Sequence, residues 1–248
     1  MRVFIRTSGW AIWAARVARP ILPLVLLSVL LHYIGVLTSA VFAACVVLAI
    51  ALALLSFLLG IAGYVNIWYS GDSGWRESSS GVFVGLIAIV FVASLVFFAG
   101  RYPATNDVST APNVTPKWGE KISASSSQAS LVDGQAFVFA ETRQYKLDEQ
   151  TALELISQAA KSQGWKKLDQ SRSSPAELHQ YFEARTLLGF VDDVTISTRT
   201  TAQLVIVNLR SASRFGEADF GANSRRIEQF LLALDELVAS VPEVEEAS

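Results

Sequence analysis

Four arginines, two acids, two glycines and an asparagine fall within residues 210–226, between a strand-like and a helix-like pattern. Arg210, Arg214, Arg225 and Arg226 each carry a planar guanidinium fork, which grips a carboxylate or a phosphate through two parallel hydrogen bonds. If Asn223 caps the following helix, Arg225 and Arg226 lie in its first turn, where the helix dipole disfavours cations by about 0.3–1 kcal/mol. A compensating anion is therefore expected. Asp219 and Glu217 are near in sequence, and Asp192 and Asp193 come near if their strand lies beside the one ending at Arg210. Ser211 and Ser213 add hydroxyls to the same corner. One reading is a structural network in which the acids consume the arginines and fix the strand-to-helix connection. The other is an anion-recognising corner that uses Arg210, Arg214 and Arg225 or Arg226. Gly216 and Gly221 suit both, since each permits backbone conformations closed to other residues.

Catalytic sets are harder to assemble. His32 and His179 are the only histidines, and His32 sits in an apolar run, so a two-histidine metal site outside that run is not available. A serine hydrolase would need His179 as base, with Ser211 or Ser213 as nucleophile and Asp193 as the orienting acid. No nucleophile-elbow spacing marks those serines. Cys45 is the single cysteine, which excludes a disulfide framework and a thiolate metal site. We assign no catalytic residue, cofactor or metal from sequence, and a non-enzymatic role is the expectation.

The elements that must position the corner differ sharply between the two halves of the chain. With 52% hydrophobic residues the composition is too apolar for an ordinary soluble domain, and the apolar residues are blocked together. No Asp, Glu, Lys or Arg occurs between Arg19 and Asp72, or from Gly81 to Gly100. About 20 such residues cross a hydrocarbon core, which predicts transmembrane helices over about 21–37, 39–65 and 81–99. Trp10, Trp13, Tyr33, Tyr64, Trp68, Tyr69, Trp75 and Tyr102 cluster at the predicted ends, as amphipathic rings do at a lipid–water interface. A cleaved signal peptide is disfavoured, because another long apolar run follows Cys45. Arg2, Arg6, Arg16 and Arg19 precede the first span and place the N-terminus in the cytoplasm. Three crossings then carry the C-terminal part to the outer, periplasmic side of the cytoplasmic (inner) membrane. Gly81 and Gly85, four apart, offer a close-packing face for a homo-oligomer.

Residues 101–248 hold 15 Lys and Arg against 20 Asp and Glu, a net charge of −5, which excludes a general nucleic-acid surface. Residues 101–135 are rich in Ser, Thr, Pro, Asn and Gly without apolar periodicity and read as a linker or peripheral strap. The domain proper is expected over 136–241, with an acidic tail at 242–248. Strand patterns run over 136–145, 165–170, 178–186, 193–198 and 203–210, the last being the most apolar. Asp148 offers an N-cap for a helix ending at Gly164. Ile227, Phe230, Leu231, Leu234, Leu237, Val238 and Val241 form the stripe of a second helix. The expected fold class is α+β: three N-terminal transmembrane helices, then a small, mainly antiparallel sheet packed by two helices.

Several blocks then resemble one family. Phe190-Val191-Asp192-Asp193-Val194, Leu209-Arg210-Ser211-Ala212-Ser213-Arg214, Asp219-Phe220-Gly221-Ala222-Asn223, Arg226-Ile227 and Phe230-Leu231 are similar to the signature of the domain of unknown function 1499 family. The resemblance extends upstream to Asn106-Asp107-Val108-Ser109-Thr110, with Pro112, Pro116 and Trp118 beyond it and Ala111 where the family has a second acid. It implies a bacterial, membrane-tethered domain on the outer side of the cytoplasmic membrane and supplies no catalytic residues.

The partner expected from all this is the lipid bilayer, together with an envelope lipid, cell-wall fragment or protein met by a binding or scaffolding domain. An extracytoplasmic hydrolase built on His179 and a subunit of a transport assembly are the alternatives. The spans, free of Asp, Glu, Lys and Arg, give the transport reading little to work with.

Overall fold

The computed structural model describes residues 6–100, 105–112, 114, 130–131, 137–202, 204–217 and 219–241, and the chain divides into two units, 1–101 and 102–248. Most of the expected linker, including Asn113, Pro116 and Trp118, and the acidic tail at 242–248 lie outside the described residues.

In the first unit, alanines at helical spacing build a helix in the stretch before the first expected span, where the sequence reading identifies none. Helix α1 (Gly9–Ala18) buries Ala11, Ala14, Ala15 and Ala18, a narrow stripe that lets backbones approach closely. Pro20 then opens α2 (Ile21–Tyr33), and α3 (Ser39–Ser70) and α4 (Trp75–Ala99) follow. Among the described residues three segments are long and apolar enough to cross a membrane: Gly9–Tyr33, Ser39–Ser70 and Trp75–Ala99. Leu22, Leu26, Val47, Leu58, Phe83 and Val90 point outward and exposed, as expected of side chains whose solvent is lipid.

Small residues set the packing. Ser56 Oγ on α3 donates to the Ala14 carbonyl at 2.9 Å. A Cβ added at Gly81 would lie 2.7 Å from the Ser56 carbonyl oxygen and 2.9 Å from Ala14 Cβ, and one at Gly85 would overlap the Phe57 side chain. Gly81 and Gly85 thus lie in close contact with α1 and α3 of the same chain. His32, in the apolar run, is 3% exposed, stacks on Phe42 at 4.6 Å and bonds Ser39 Oγ through Nε2 at 3.1 Å.

Among its described residues the second unit is a seven-stranded sheet with two helices. Its strands are β1 (Asp107–Ser109), β2 (Ser130–Leu131), β3 (Arg143–Tyr145), β4 (Lys166–Ser174), β5 (Glu177–Arg185), β6 (Val191–Thr200) and β7 (Val205–Ser213). The order is β2-β1-β7-β6-β5-β4, with β3 also on β7. Every pair is antiparallel except β1 with β2. Helices α5 (Glu149–Ser162) and α6 (Ala222–Ala239) bury Ile156, Ala159, Ile227, Phe230 and Leu231 against Phe182, Val194, Ile196, Val207 and Leu209. Trp165 stacks on Phe230 at 4.9 Å to close that core.

Two sequence expectations change here. The stretch read as linker contributes β1, because Val108 (2% exposed) enters the core and Asp107 finds a buried partner. The strand expected over 136–145 is reduced to Arg143–Tyr145, while Phe137 and Ala140 enter the core from irregular backbone.

Candidate functional site

Strand alternation sends the corner's side chains to opposite faces of the sheet. Val194 and Ile196 face the helices, so their cross-strand partners Ser211 and Leu209 do as well, along with Asp192 and Ser213. Asp193, Thr195 and Arg210 face the other way.

On the helix side Asn223 is the hub, fully buried in the first turn of α6. Its Oδ1 accepts from Ser211 Oγ at 2.7 Å and from Arg226 Nη1. Its Nδ2 donates to Ser213 Oγ and to the Asn106 carbonyl, both at 3.0 Å. Arg226 also donates from Nη1 to Ser211 Oγ at 2.9 Å and from Nη2 to the Asp192 carboxylate. The asparagine amide, with its two donors and two acceptor lone pairs, is thus saturated.

Asn223 does not cap the helix as expected; Gly221, at φ 76°, occupies the N-cap position. Asp219 supplies the capping oxygens, accepting from Gly221 N at 2.9 Å and Asn223 N at 2.6 Å. Phe220, at φ 52°, is the one described non-glycine residue in the left-handed region. These two consecutive left-handed residues turn the chain so that a carboxylate sits where the dipole favours one.

On the other side Arg210, 5% exposed, donates from Nε to Asp107 Oδ1 at 2.8 Å, from Nη2 to Asp107 Oδ2, and from Nη1 to the Val114 carbonyl at 3.0 Å. Arg214 holds Asp193 through Nε and Nη2 and meets Glu183 through Nη1 at 3.3 Å. The Asp193 hydrogen bonds hold the Arg214 guanidinium even more firmly protonated than usual. Arg225 is exposed and donates to the Phe220 carbonyl at 3.1 Å.

Of the expected acids, Asp192 and Asp193 pair with arginine, Asp219 caps, and Glu217 is exposed and makes no ion pair with the four arginines. Sequence reasoning missed Asp107, Glu183, Asn106 and the Val114 carbonyl. The only signal for the first was its place in the Asn106–Thr110 block, which resembles the same family as the corner.

The hydrolase set does not assemble. Ser211 and Ser213 lie on the helix face, whereas His179 and Asp193 lie on the opposite face, so the sheet separates base from nucleophile. His179 is instead buried opposite Ser197, with Nε2 3.8 Å from Glu177 Oε1. Among the described residues no group of three or more His, Cys, Asp or Glu side chains is placed to hold a metal ion.

The corner and the Asn106–Thr110 block form one assembly. Ser213 N donates to the Asn106 carbonyl at 2.8 Å, Asn106 Nδ2 donates to the Gly216 carbonyl, and Asp219 N donates to the Thr105 carbonyl at 3.2 Å. No curated protein and no solved structure matches the chain significantly. One family model does, and its first matched position is Asn106, where the corner takes hold of the incoming chain. On that match over residues 106–234 the chain belongs to the family described as Protein of unknown function (DUF1499).

Proposed function

We propose that this is a multi-pass protein of the cytoplasmic membrane of a bacterium, with its N-terminus in the cytoplasm, holding a non-catalytic scaffolding or binding domain on the periplasmic side. The observation that carries the scaffolding reading is the grip of the corner on Thr105, Asn106 and Asp107, the point where the chain enters the sheet. A hydrogen-bonded clasp at a chain entry resists pulling on the tether. A catalytic constellation would instead bring a nucleophile and a base to one face.

Anion recognition is the second form of the same reading. An envelope lipid head group, a cell-wall fragment or an acidic protein would have to compete for Arg214, whose side chain is 30% exposed, with Asp193 and Glu183. That competition disfavours it.

The test is complementation of a deletion strain by variants that accumulate to the normal level. Scaffolding predicts that His179→Ala complements fully, and failure at normal abundance overturns it in favour of a hydrolase. Arg214→Glu combined with Arg225→Glu separates the two forms: failure with the domain still protease-resistant favours anion capture, and success favours an internal frame. Alkaline phosphatase fused after Ser248 checks the side of the membrane. An inactive enzyme fusion beside a fluorescent cytoplasmic one would refute the topology.

A further inference from the structure

We infer that the β5–β6 hairpin tip, Leu187 and Leu188, together with Phe215, inserts into the lipid leaflet from which α4 emerges. The inference requires α4 to be a membrane span but does not depend on which side the domain occupies.

The tip is built to present apolar side chains rather than to hide them. Leu187 is 95% exposed, Leu188 48% and Phe215 40%. An isolated exposed leucine is ordinary, but three large apolar side chains on adjacent loops mark an interaction site. The loop is also stiff. Thr186 N donates to the Phe190 carbonyl at 2.9 Å, Gly189 N to the Thr186 carbonyl at 3.0 Å, and Phe190 N to Thr186 Oγ1 at 3.1 Å. Gly189, at φ 91°, makes the reversal that this closure requires. Phe190 stacks on Phe215 at 5.9 Å, which joins the hairpin tip to the loop after β7. Such a tip loses little conformational entropy on insertion, and leucine and phenylalanine side chains gain most from leaving water.

The occupant follows from where the chain enters. Arg185 pairs with Val191 at the end of the hairpin, Arg214 N donates to the Val191 carbonyl at 3.2 Å, and Ser213 N donates to the Asn106 carbonyl. The tip, Phe215 and Asn106 therefore share one end of the sheet. Helix α4 ends at Ala99. The seven residues from there to Asn106 span at most about 25 Å when fully extended. A strand the length of β5 is itself roughly 30 Å long, so the tether confines the tip end near the bilayer but not the opposite end, at Pro175 and Ala176. The end held near the lipid thus carries Leu187, the most exposed large apolar side chain among the described residues. Arg185, next to the tip, is 58% exposed and donates from Nε to Glu183 Oε1 at 3.3 Å, so a lipid phosphate would meet it only in competition with that carboxylate.

The experiment uses the full-length chain with Cys45→Ala, in nanodiscs of phosphatidylcholine and phosphatidylglycerol. A nitroxide is attached at Leu187→Cys or, as the control, at Ala176→Cys. Insertion predicts that collision with oxygen rises and collision with a water-soluble nickel chelate falls at the first label relative to the second. Equal nickel accessibility at both labels places the tip in water and overturns the inference. Low accessibility to both reagents at the first label means protein covers it, a second copy included, and overturns it equally. Since Leu187 makes almost no contact within the domain, an unchanged thermal midpoint for the labelled chain shows that the reading comes from the folded state.

Discussion

Breaking the Asp107–Arg210 pair tests whether the corner is a buried clasp. Asp107 is 3% exposed and Arg210 5%, and the pair makes two parallel hydrogen bonds across a sequence separation of 103 residues. Replacing Asp107 with Asn leaves a guanidinium that cannot lose its proton inside a site shielded from water. Removing one partner of such a pair costs about 3–5 kcal/mol, while replacing both with apolar side chains is near neutral or stabilising. We therefore expect Asp107→Asn and Arg210→Met each to destabilise the C-terminal unit by about 4 kcal/mol, and Asp107→Leu with Arg210→Met to recover most of the loss. With a urea dependence near 2 kcal/mol per M, each single variant moves the midpoint down by roughly 2 M. The readout is urea-dependent proteolysis of the full-length protein in detergent, following fragments from 105–241. By contrast the exposed Arg172–Glu149 pair, at 43% and 29%, should contribute no more than about 1 kcal/mol. A shift of the Asp107 variant no larger than that of Glu149→Gln, or a double variant as unstable as the two singles summed, would refute the buried-clasp reasoning.

Three other outcomes follow from the same geometry. Asn223→Ala leaves Ser211, Ser213 and Arg226 each short of a buried partner and should cost about 2–4 kcal/mol, read as faster amide exchange in β7 and the first turn of α6. Gly85→Val drives a branched side chain into Phe57 and should lower the stability of the helical unit by about 1–3 kcal/mol, read from the thermal midpoint in detergent; an unchanged midpoint would mean α3 and α4 do not pack there. Hydrogen bonds from the Thr151 hydroxyl and amide hold the Asp148 carboxyl below the usual aspartate range, so this cap stabilises α5 above the unfolded-state value and is lost as pH falls through the lower folded one. The Thr151 amide resonance should follow that acid-side transition, and Asp148→Asn should keep the cap while abolishing its pH dependence.

How much of this was legible depended on the range of the interaction that decided each element. The three apolar segments were readable because lipid imposes its requirement residue by residue. Helix α1 was not, because its buried stripe is alanine and its value comes from what α3 and α4 place opposite it. Strands β5, β6 and β7 were found to within a few residues from their apolar positions. Strand β1 was missed because three residues, Asp-Val-Ser, carry no period, and the charge at its start looks like a surface residue until Arg210 is beside it. The cap was misassigned by four residues because Asp219 and Asn223 are both good capping types, and only the left-handed turn at Phe220 and Gly221 decides between them. The dense polar run at 210–226 was the clearest local signal, yet its meaning was not local. A strand that brings a buried arginine, two buried serines and a helix start to one place must saturate every donor there, whether or not a ligand ever arrives. What separates a clasp from a binding site is the origin of the acceptors. Here Asp107, the Asn106 and Val114 carbonyls, Glu183, Asp192 and Asp193 all come from the chain itself, which argues that the chemistry concentrated in the corner is directed inward, at the segment where the chain enters the sheet.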